Sequence, residues 1–137
     1  MKSLILIFIS LFTFNKVSPA QEIDWRKTKN WKVYYIVDRE AMKVSTDSLK
    51  FMKGKSIHMD SIVSYLSSAS LWPSDKKAVW MGAYTLTYEF NSGQFRKLLA
   101  SSYGGFIYDS DSKQYYEIDE RKKNDWQDFL LSQLSRD

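Results

Sequence analysis

Residues 78–90, AVWMGAYTLTYEF, are the longest alternating segment of the chain and decide its fold. Large apolar side chains recur at every second position on one face: Trp80, Tyr84, Leu86, Tyr88 and Phe90. The opposite face becomes polar at Thr85, Thr87 and Glu89. A period of two is typical of a β-strand with one buried face. We expect the aromatic face to pack under helices and the threonine face to be open; the alternative is an exposed aromatic platform.

Turn signals on the C-terminal side of this segment predict an antiparallel meander. Residues 91–93 (NSG) favour a hairpin, because Gly93 can take the positive φ that such turns require. Gly104 and Gly105 predict a break or bulge, and residues 109–112 predict a further turn. The strands expected between these turns are residues 78–90, 94–102, 106–108 and 115–118.

The residues before residue 78 predict a strand and a helix. Residues 31–37 (WKVYYIV) alternate and are rich in aromatic and β-branched side chains, as strands are. Residues 48–52 suggest a second, short strand. Residues 60–71 carry apolar side chains at helical spacing, and we expect Pro73 to end this helix. The apolar positions of that helix are Ile62, Tyr65, Leu66 and Ala69.

A second helix is predicted at the C-terminus, with Asn124 as its N-cap. Its apolar side chains are Trp126, Phe129, Leu130 and Leu134. The whole pattern indicates an α+β fold. We expect an antiparallel meander of about four to five strands, with one helix before it and a C-terminal helix packed on the sheet.

The N-terminus is typical of a secretory signal peptide. An apolar run at residues 4–14 is too short for a transmembrane helix, which needs about 20 residues, and suits the core of a signal peptide. Ser18 and Ala20 put small residues at the two positions read by a signal peptidase. We therefore predict a signal peptide at residues 1–20 and one globular α+β domain at residues 21–137, exported to a periplasm or secreted. The alternative is an uncleaved anchor or a buried N-terminal strand.

Charge and cysteine content narrow the possible functions. Lys2 and Lys16 lie in the predicted signal, so the remainder carries 18 basic residues against 16 acidic ones. This near balance, together with export, argues against nucleic acid as a partner. The chain has no cysteine, so the exported domain must be stable without disulfides. After cleavage we expect no stable transmembrane anchor.

Recognisable catalytic chemistry is missing from the sequence. Without cysteine there is no thiol nucleophile, and a single histidine, His58, cannot form a multi-histidine zinc site. His58 precedes the predicted helix, where a polar side chain commonly caps or bridges, and no nucleophile motif accompanies it. We expect no cofactor and no metal, and we lean towards a protein that is not an enzyme.

Residues 109–120 (DSDSKQYYEIDE) place acids at the first, third and twelfth positions, as an EF-hand loop does. Lys113 stands at the fifth position, which should supply oxygen, and Gln114 replaces the glycine of the sharp turn. A hairpin turn explains the segment better than a calcium loop.

Two function classes remain open. We favour a non-catalytic binding or inhibitory module, either an envelope accessory factor or an immunity-type protein, with a protein or glycan partner in the cell envelope. The alternative is a small exported hydrolase with a carboxylate-based site that the sequence does not reveal. The free surface and turns of the meander supply the candidate partner-binding residues: Thr85, Thr87, Tyr108, Asp109, Asp111 and Tyr115.

Overall fold

The computed structural model describes residues 22–36, 38–73 and 84–135. The predicted signal peptide and Trp80 lie outside these residues. The described part is α+β with one antiparallel sheet, which confirms the fold class. The sheet has seven strands in the order β2-β1-β4-β5-β6-β7-β3, more than the four to five expected. The strands are β1 Thr28–Tyr34, β2 Lys55–Ser56, β3 Ser70–Leu71, β4 Tyr84–Phe90, β5 Phe95–Ala100, β6 Phe106–Asp109 and β7 Gln114–Glu117.

The first strand lies about three residues earlier than predicted. A 3-10 turn, Trp25–Lys27, leads into β1, and β1 ends at Tyr34. The pairing of β1 with β4 shifts register between Lys29 and Lys32, where Asn30 has a φ of 54°. This bulge changes which residues face the core. Tyr35 follows the strand and is exposed, contrary to the predicted alternation.

The expected strand at residues 48–52 is wrong. The chain forms a short helix, α1, at Asp38–Ala41 and another, α2, at Thr46–Leu49. Ser45 starts α2 because its hydroxyl accepts the backbone N–H of Ser48 at 3.1 Å, which is an N-cap bond. The second strand is β2, which pairs with β1 through Lys32 and Val33.

The helix predicted at residues 60–71 is shorter than expected. Helix α3 runs over Met59–Leu66, and the chain then turns into β3, which pairs with β7. Ser68 favours this early end, because its hydroxyl donates to the carbonyl of Tyr65 at 2.6 Å and accepts the N–H of Asp119 at 3.4 Å. Pro73 is therefore not the residue that ends the helix.

The hairpin and glycine predictions are confirmed. Gly93 has a φ of 94° in the turn between β4 and β5, and Gly104 and Gly105 have φ values of 80° and 71° before β6. The turn between β6 and β7 includes Lys113, whose φ is 58°.

The C-terminal helix is present, but Asn124 is not its cap. A 3-10 turn, Glu120–Lys122, runs directly into α4, Lys123–Ser135, so Asn124 lies inside the helix. The capping side chain belongs to Asp119, which accepts the N–H of Arg121 at 2.9 Å and starts the 3-10 turn.

One face of the sheet, the inner face, packs against α3 and α4 in the main core. Tyr88 stacks on Trp31 with ring centroids 4.6 Å apart, and Trp126 and Leu130 of α4 are fully buried. The prediction that the aromatic face of β4 is core is therefore confirmed at Tyr88. Tyr84 is half-buried against the same core.

The opposite face, the outer face, is also covered where it was expected to be open. Segment 38–49 packs on it, and Ala41 and Leu99 are buried together there. Thr85 and Thr87 have no exposed surface, so the expectation of a free threonine face is wrong. In the described residues, no helix is long and apolar enough to span a bilayer.

Candidate functional site

The six residues predicted to bind a partner lie in three different environments. Thr85 and Thr87 are buried under the helical cover of the outer face, where no partner reaches them in this fold. Asp109 and Asp111 contact a half-buried arginine, and Tyr108 and Tyr115 pair with each other on the outer face. The structure thus brings the six predicted residues together as three separate pairs, and they do not form one site.

Arg96 is the centre of the acidic pair. Its Nη2 lies 2.9 Å from Oδ2 of Asp109, and its Nε lies 3.2 Å from Oδ2 of Asp111. Asp109 also accepts the hydroxyl of Ser112 at 2.8 Å and the N–H of Asp111 at 3.1 Å. Neighbouring carboxylates raise the pKa of Arg96 even though its burial alone would lower it. These bonds tie β5 to the turn after β6.

This network explains the spacing of acids that resembles a calcium loop. Asp109 and Asp111 direct oxygens at a guanidinium and at backbone N–H groups, so both serve the hairpin turn. Among the described residues, no three His, Cys, Asp or Glu side chains are grouped as a metal site requires.

Lys97 lies on the outer face of β5, where the segment between α1 and α2 packs against the sheet. Its ammonium donates to the carbonyl of Val44 at 2.7 Å, and the residue is almost fully buried. Burial lowers the pKa of Lys97 because it disfavours the charged form. The bond holds the connection between α1 and α2 against the sheet.

Aromatic side chains line the outer face further along the sheet, and two of them, Tyr108 and Tyr115, belong to the predicted site. Tyr108 and Tyr115 are directly paired across β6 and β7, with ring centroids 4.7 Å apart. The N–H of Trp72 donates to the carbonyl of Tyr115 at 2.8 Å, which continues the pairing of β3 with β7. Trp72 in turn meets the ring of Phe106 edge-on at 5.0 Å. We call Trp72, Tyr108 and Tyr115 the outer aromatic row.

The row is partly accessible and firmly supported. Tyr115 is 37% exposed, Tyr108 and Trp72 are half-buried, and Phe106, whose ring contacts Trp72, is buried. Burial is the main cause that raises the pKa of Tyr108, so its hydroxyl is neutral and can donate a hydrogen bond. Such a surface can hold a flat or apolar group against rings and bond its edge.

Sequence reasoning missed Trp72 as a member of this row. The apolar spacing of residues 60–71 predicts a helix and gives Trp72, just before Pro73, no place in a strand. The available signal was a short apolar stretch ending in a tryptophan and a proline, and β3 has only two residues, too few to show alternation.

A cleft of about 640 Å³ opens beside the bulge of β1 and brings together side chains that the sequence left separate. Ser56, His58 and Asp60 line it from one side, and Glu89 lines it from β4. Asn30 donates to Oε2 of Glu89 at 3.0 Å. The residues that line the cleft are Lys29, Asn30, Trp31, Lys32, Ser56, Ile57, His58, Met59, Asp60, Glu89 and Phe95.

The cleft contains serine, histidine and aspartate side chains, but they do not form a relay. His58 is exposed at the N-cap of α3 and makes no side-chain capping bond. In the described part of the chain, no hydrogen bond joins His58 to Ser56 or Asp60. A nucleophile needs its base within hydrogen-bond reach, so this set lacks the geometry of a triad.

No protein-family model, curated protein sequence or solved structure matches the chain. The outer aromatic row and the cleft beside β1 are therefore judged on their own geometry. The row offers contact area on rigid strands. The cleft offers two carboxylates, Asp60 and Glu89, in one concave surface.

Proposed function

We propose that the protein is a small exported binding module, without catalytic activity, that recognises a partner of the cell envelope through the outer aromatic row. The observation that carries the proposal is the Tyr108–Tyr115 pair, whose rings lie 4.7 Å apart with Tyr115 partly exposed. Tyrosine and tryptophan supply large contact area at a small entropic cost, and they are enriched at binding hot spots.

The sheet fixes the positions of the rings of the outer aromatic row before a partner binds. Antiparallel pairing fixes Tyr108 opposite Tyr115, and the ring of Phe106 contacts that of Trp72 edge-on. Strand residues with packed neighbours lose little freedom when a partner binds, and this preorganisation favours affinity. The Arg96–Asp109 ion pair strengthens the same effect, because it ties β5 to the end of β6.

A partner suited to this row presents a flat apolar surface with polar groups at its edge. The face of a sugar ring meets this description, and so does an apolar side chain on a protein surface. The hydroxyl groups of Tyr108 and Tyr115 can bond the polar edge in either case. The partner is thus a glycan or a protein, which agrees with the classes expected from the sequence.

Substitution of Tyr115 tests the proposal. Protein purified from its exported form is immobilised and used to capture partners from an envelope extract. We expect Tyr115→Ala to reduce capture by roughly tenfold or more, the loss typical of an aromatic hot spot. Tyr115→Phe keeps the ring and should retain most of the capture. Tyr103→Ala is the matched control, because Tyr103 is 64% exposed and lies outside the row.

Two further measurements are needed to interpret the capture experiment. Urea unfolding of each variant shows whether lost capture reflects lost folding. Capture from protease-treated extract, or on purified envelope glycan, identifies a sugar partner, whereas capture that protease abolishes identifies a protein. Equal capture by Tyr115→Ala and Tyr103→Ala, with both folded, contradicts the proposal.

The cleft beside β1 favours a second candidate, a small hydrolase. Asp60 and Glu89 line one cleft, and paired carboxylates can serve as acid and base in glycoside hydrolysis. Hydrolysis of a panel of glycosides, with Asp60→Asn and Glu89→Gln as test variants, examines this candidate. Asp128→Asn is the control, since Asp128 is exposed on α4 outside the cleft. Turnover that both test variants abolish and the control retains would replace the binding module with an enzyme.

A further inference from the structure

A second surface is formed by residues 50–53, Lys-Phe-Met-Lys, which directly follow α2 and are here called the Phe51 loop. Phe51 is 91% exposed, the highest exposure among the large apolar side chains of the described residues. Met52 beside it is also exposed. Two adjacent large apolar side chains in water are unfavourable unless another surface covers them.

The backbone holds Phe51 in this exposed position. The N–H of Phe51 donates to the carbonyl of Ser48 at 3.2 Å, and the N–H of Met52 donates to the carbonyl of Leu49 at 3.2 Å. Leu49 is fully buried, and its carbonyl also accepts the hydroxyl of Tyr34 at 3.2 Å. The loop is therefore anchored to the outer face of the sheet, and its exposed tip is a built feature of the fold.

Positive charge flanks the tip at Lys50 and Lys53, which are both exposed. Residues 48–59 contain no acidic residue. The ammonium of Lys55 is buried and does not add to this surface. The nearest acid along the chain, Asp47, lies 3.5 Å from the ammonium of Lys50, but it is almost fully exposed. Water and salt screen such a pair, so it neutralises little of the local charge.

We propose that the Phe51 loop docks the protein on an anionic membrane surface, with Phe51 and Met52 entering the interface and Lys50 and Lys53 facing lipid phosphates. An apolar tip flanked by lysines fits such a surface, because basic side chains are drawn to anionic lipids while aromatic rings enter the boundary. Lysine is depleted in protein–protein interfaces, which makes a protein partner the poorer fit for this loop. The docking is independent of the partner bound by the outer aromatic row, since the two surfaces share no residue.

Vesicle flotation tests this inference on the protein as cells process it. We expect binding to phosphatidylcholine vesicles that contain phosphatidylglycerol, and little binding to phosphatidylcholine alone. Phe51→Ala should reduce binding roughly tenfold. Lys53→Glu should reduce it at least about fivefold, and added salt should weaken it. Tyr103→Ala and Lys27→Glu are matched controls, because each changes an exposed residue outside the loop and should retain binding.

The possible outcomes separate the alternatives. Any contribution of the apolar N-terminal run to vesicle binding is the same in all variants. Differences in vesicle binding between variants therefore measure the contribution of the Phe51 loop. Urea unfolding confirms that each variant is folded. Failure to bind anionic vesicles, or equal binding by Phe51→Ala and Tyr103→Ala, overturns the inference. Loss of a captured protein by Phe51→Ala with vesicle binding unchanged would instead make the loop a protein-docking surface, and this result also overturns it.

Discussion

Arg96 and Asp109 form an ion pair on the inner face of the sheet, with Nη2 and Oδ2 2.9 Å apart. The side chain of Asp109 has no exposed surface and that of Arg96 is 15% exposed. Arg96 stands opposite Tyr88 in the register of β4 and β5, and Asp109 stands opposite Leu98 in that of β5 and β6. Arg96 also lies over the ring of Phe90 at 5.4 Å. The charge pair is thus enclosed by core residues.

Asp109→Ala should destabilise the fold strongly, because it leaves the guanidinium of Arg96 with one carboxylate and frees the hydroxyl of Ser112. Removing one partner of a buried pair costs about 3 to 5 kcal/mol. We expect about 3 kcal/mol, since Asp111 remains near Arg96. Urea unfolding measures the free energy. Asp111→Ala, at an exposed position, should cost about 1 kcal/mol or less. Equal losses in the two variants would show that Asp109 has no special role.

This ion pair could not be predicted from the sequence. Aspartate and serine alternate at residues 109–112, and this composition predicts an exposed turn at Asp109. Arg96 lies 13 residues earlier on a strand whose outward and inward residues were not assigned. Only the register of β5 and β6 brings the two charges together. The side chain of Asp109 has no exposed surface, so in this fold it supports the turn and offers no contact to a partner.

Local signals predicted the hairpin and the glycine turns well, because Gly93 and Gly104 need positive φ wherever they occur in such turns. Elements of two residues, such as β2 and β3, carry no periodicity and could not be found. The cover on the outer face was missed for another reason. Segment 38–49 forms two helices of four residues each, too short for an apolar stripe to be recognised. Of the predicted site, the Tyr108–Tyr115 pair was accessible to sequence reasoning, whereas its neighbour Trp72 was not.

Alkaline pH should destabilise the protein through Tyr116. Burial raises the pKa of Tyr116 to about 12, above its ordinary value of about 10. Below pH 10 the phenol is neutral in both states, and its full contribution to stability is present. Between pH 10 and 12 the unfolded chain loses the proton first, so the free energy of unfolding should fall by up to about 3 kcal/mol. Burial also raises the pKa of Tyr88, which acts in the same direction.

Urea unfolding across this pH range, with tyrosinate absorbance as a second signal, measures the effect. Tyr116→Phe is the matched variant, because it keeps the ring and removes the titrating group. Its stability should fall less steeply with pH than that of the parent protein. Parallel pH profiles for the two proteins would assign the alkaline loss to other groups.

Processing of the N-terminus gives a prediction that follows from Ser18 and Ala20. These small residues fit the positions read by a signal peptidase, so the exported protein should begin at Gln21. Intact-mass spectrometry of protein from the envelope or the medium measures this directly, including cyclisation of the new terminal glutamine. An Ala20→Arg variant should accumulate unprocessed. Full-length protein confined to the cytoplasm would contradict the prediction of export.

Thr85 and Thr87 provide the sharpest comparison of burial with hydrogen bonding. Both side chains have no exposed surface. Among the described residues, the hydroxyl of Thr85 has no hydrogen-bond partner, whereas that of Thr87 donates to the hydroxyl of Tyr34 at 3.2 Å. Valine has nearly the same shape as threonine, so each substitution removes a hydroxyl and leaves the packing in place.

Thr85→Val should leave stability unchanged or raise it, because an unpaired buried hydroxyl is costly. Thr87→Val should lower stability by about 1 kcal/mol, the net value of a typical hydrogen bond. Neither variant should change capture of an envelope partner, since neither side chain reaches the surface. Urea unfolding and the capture assay measure the two effects separately. Reduced capture by folded Thr85→Val would show that segment 38–49 lifts from the sheet when a partner binds, and the threonine face would then belong to the site.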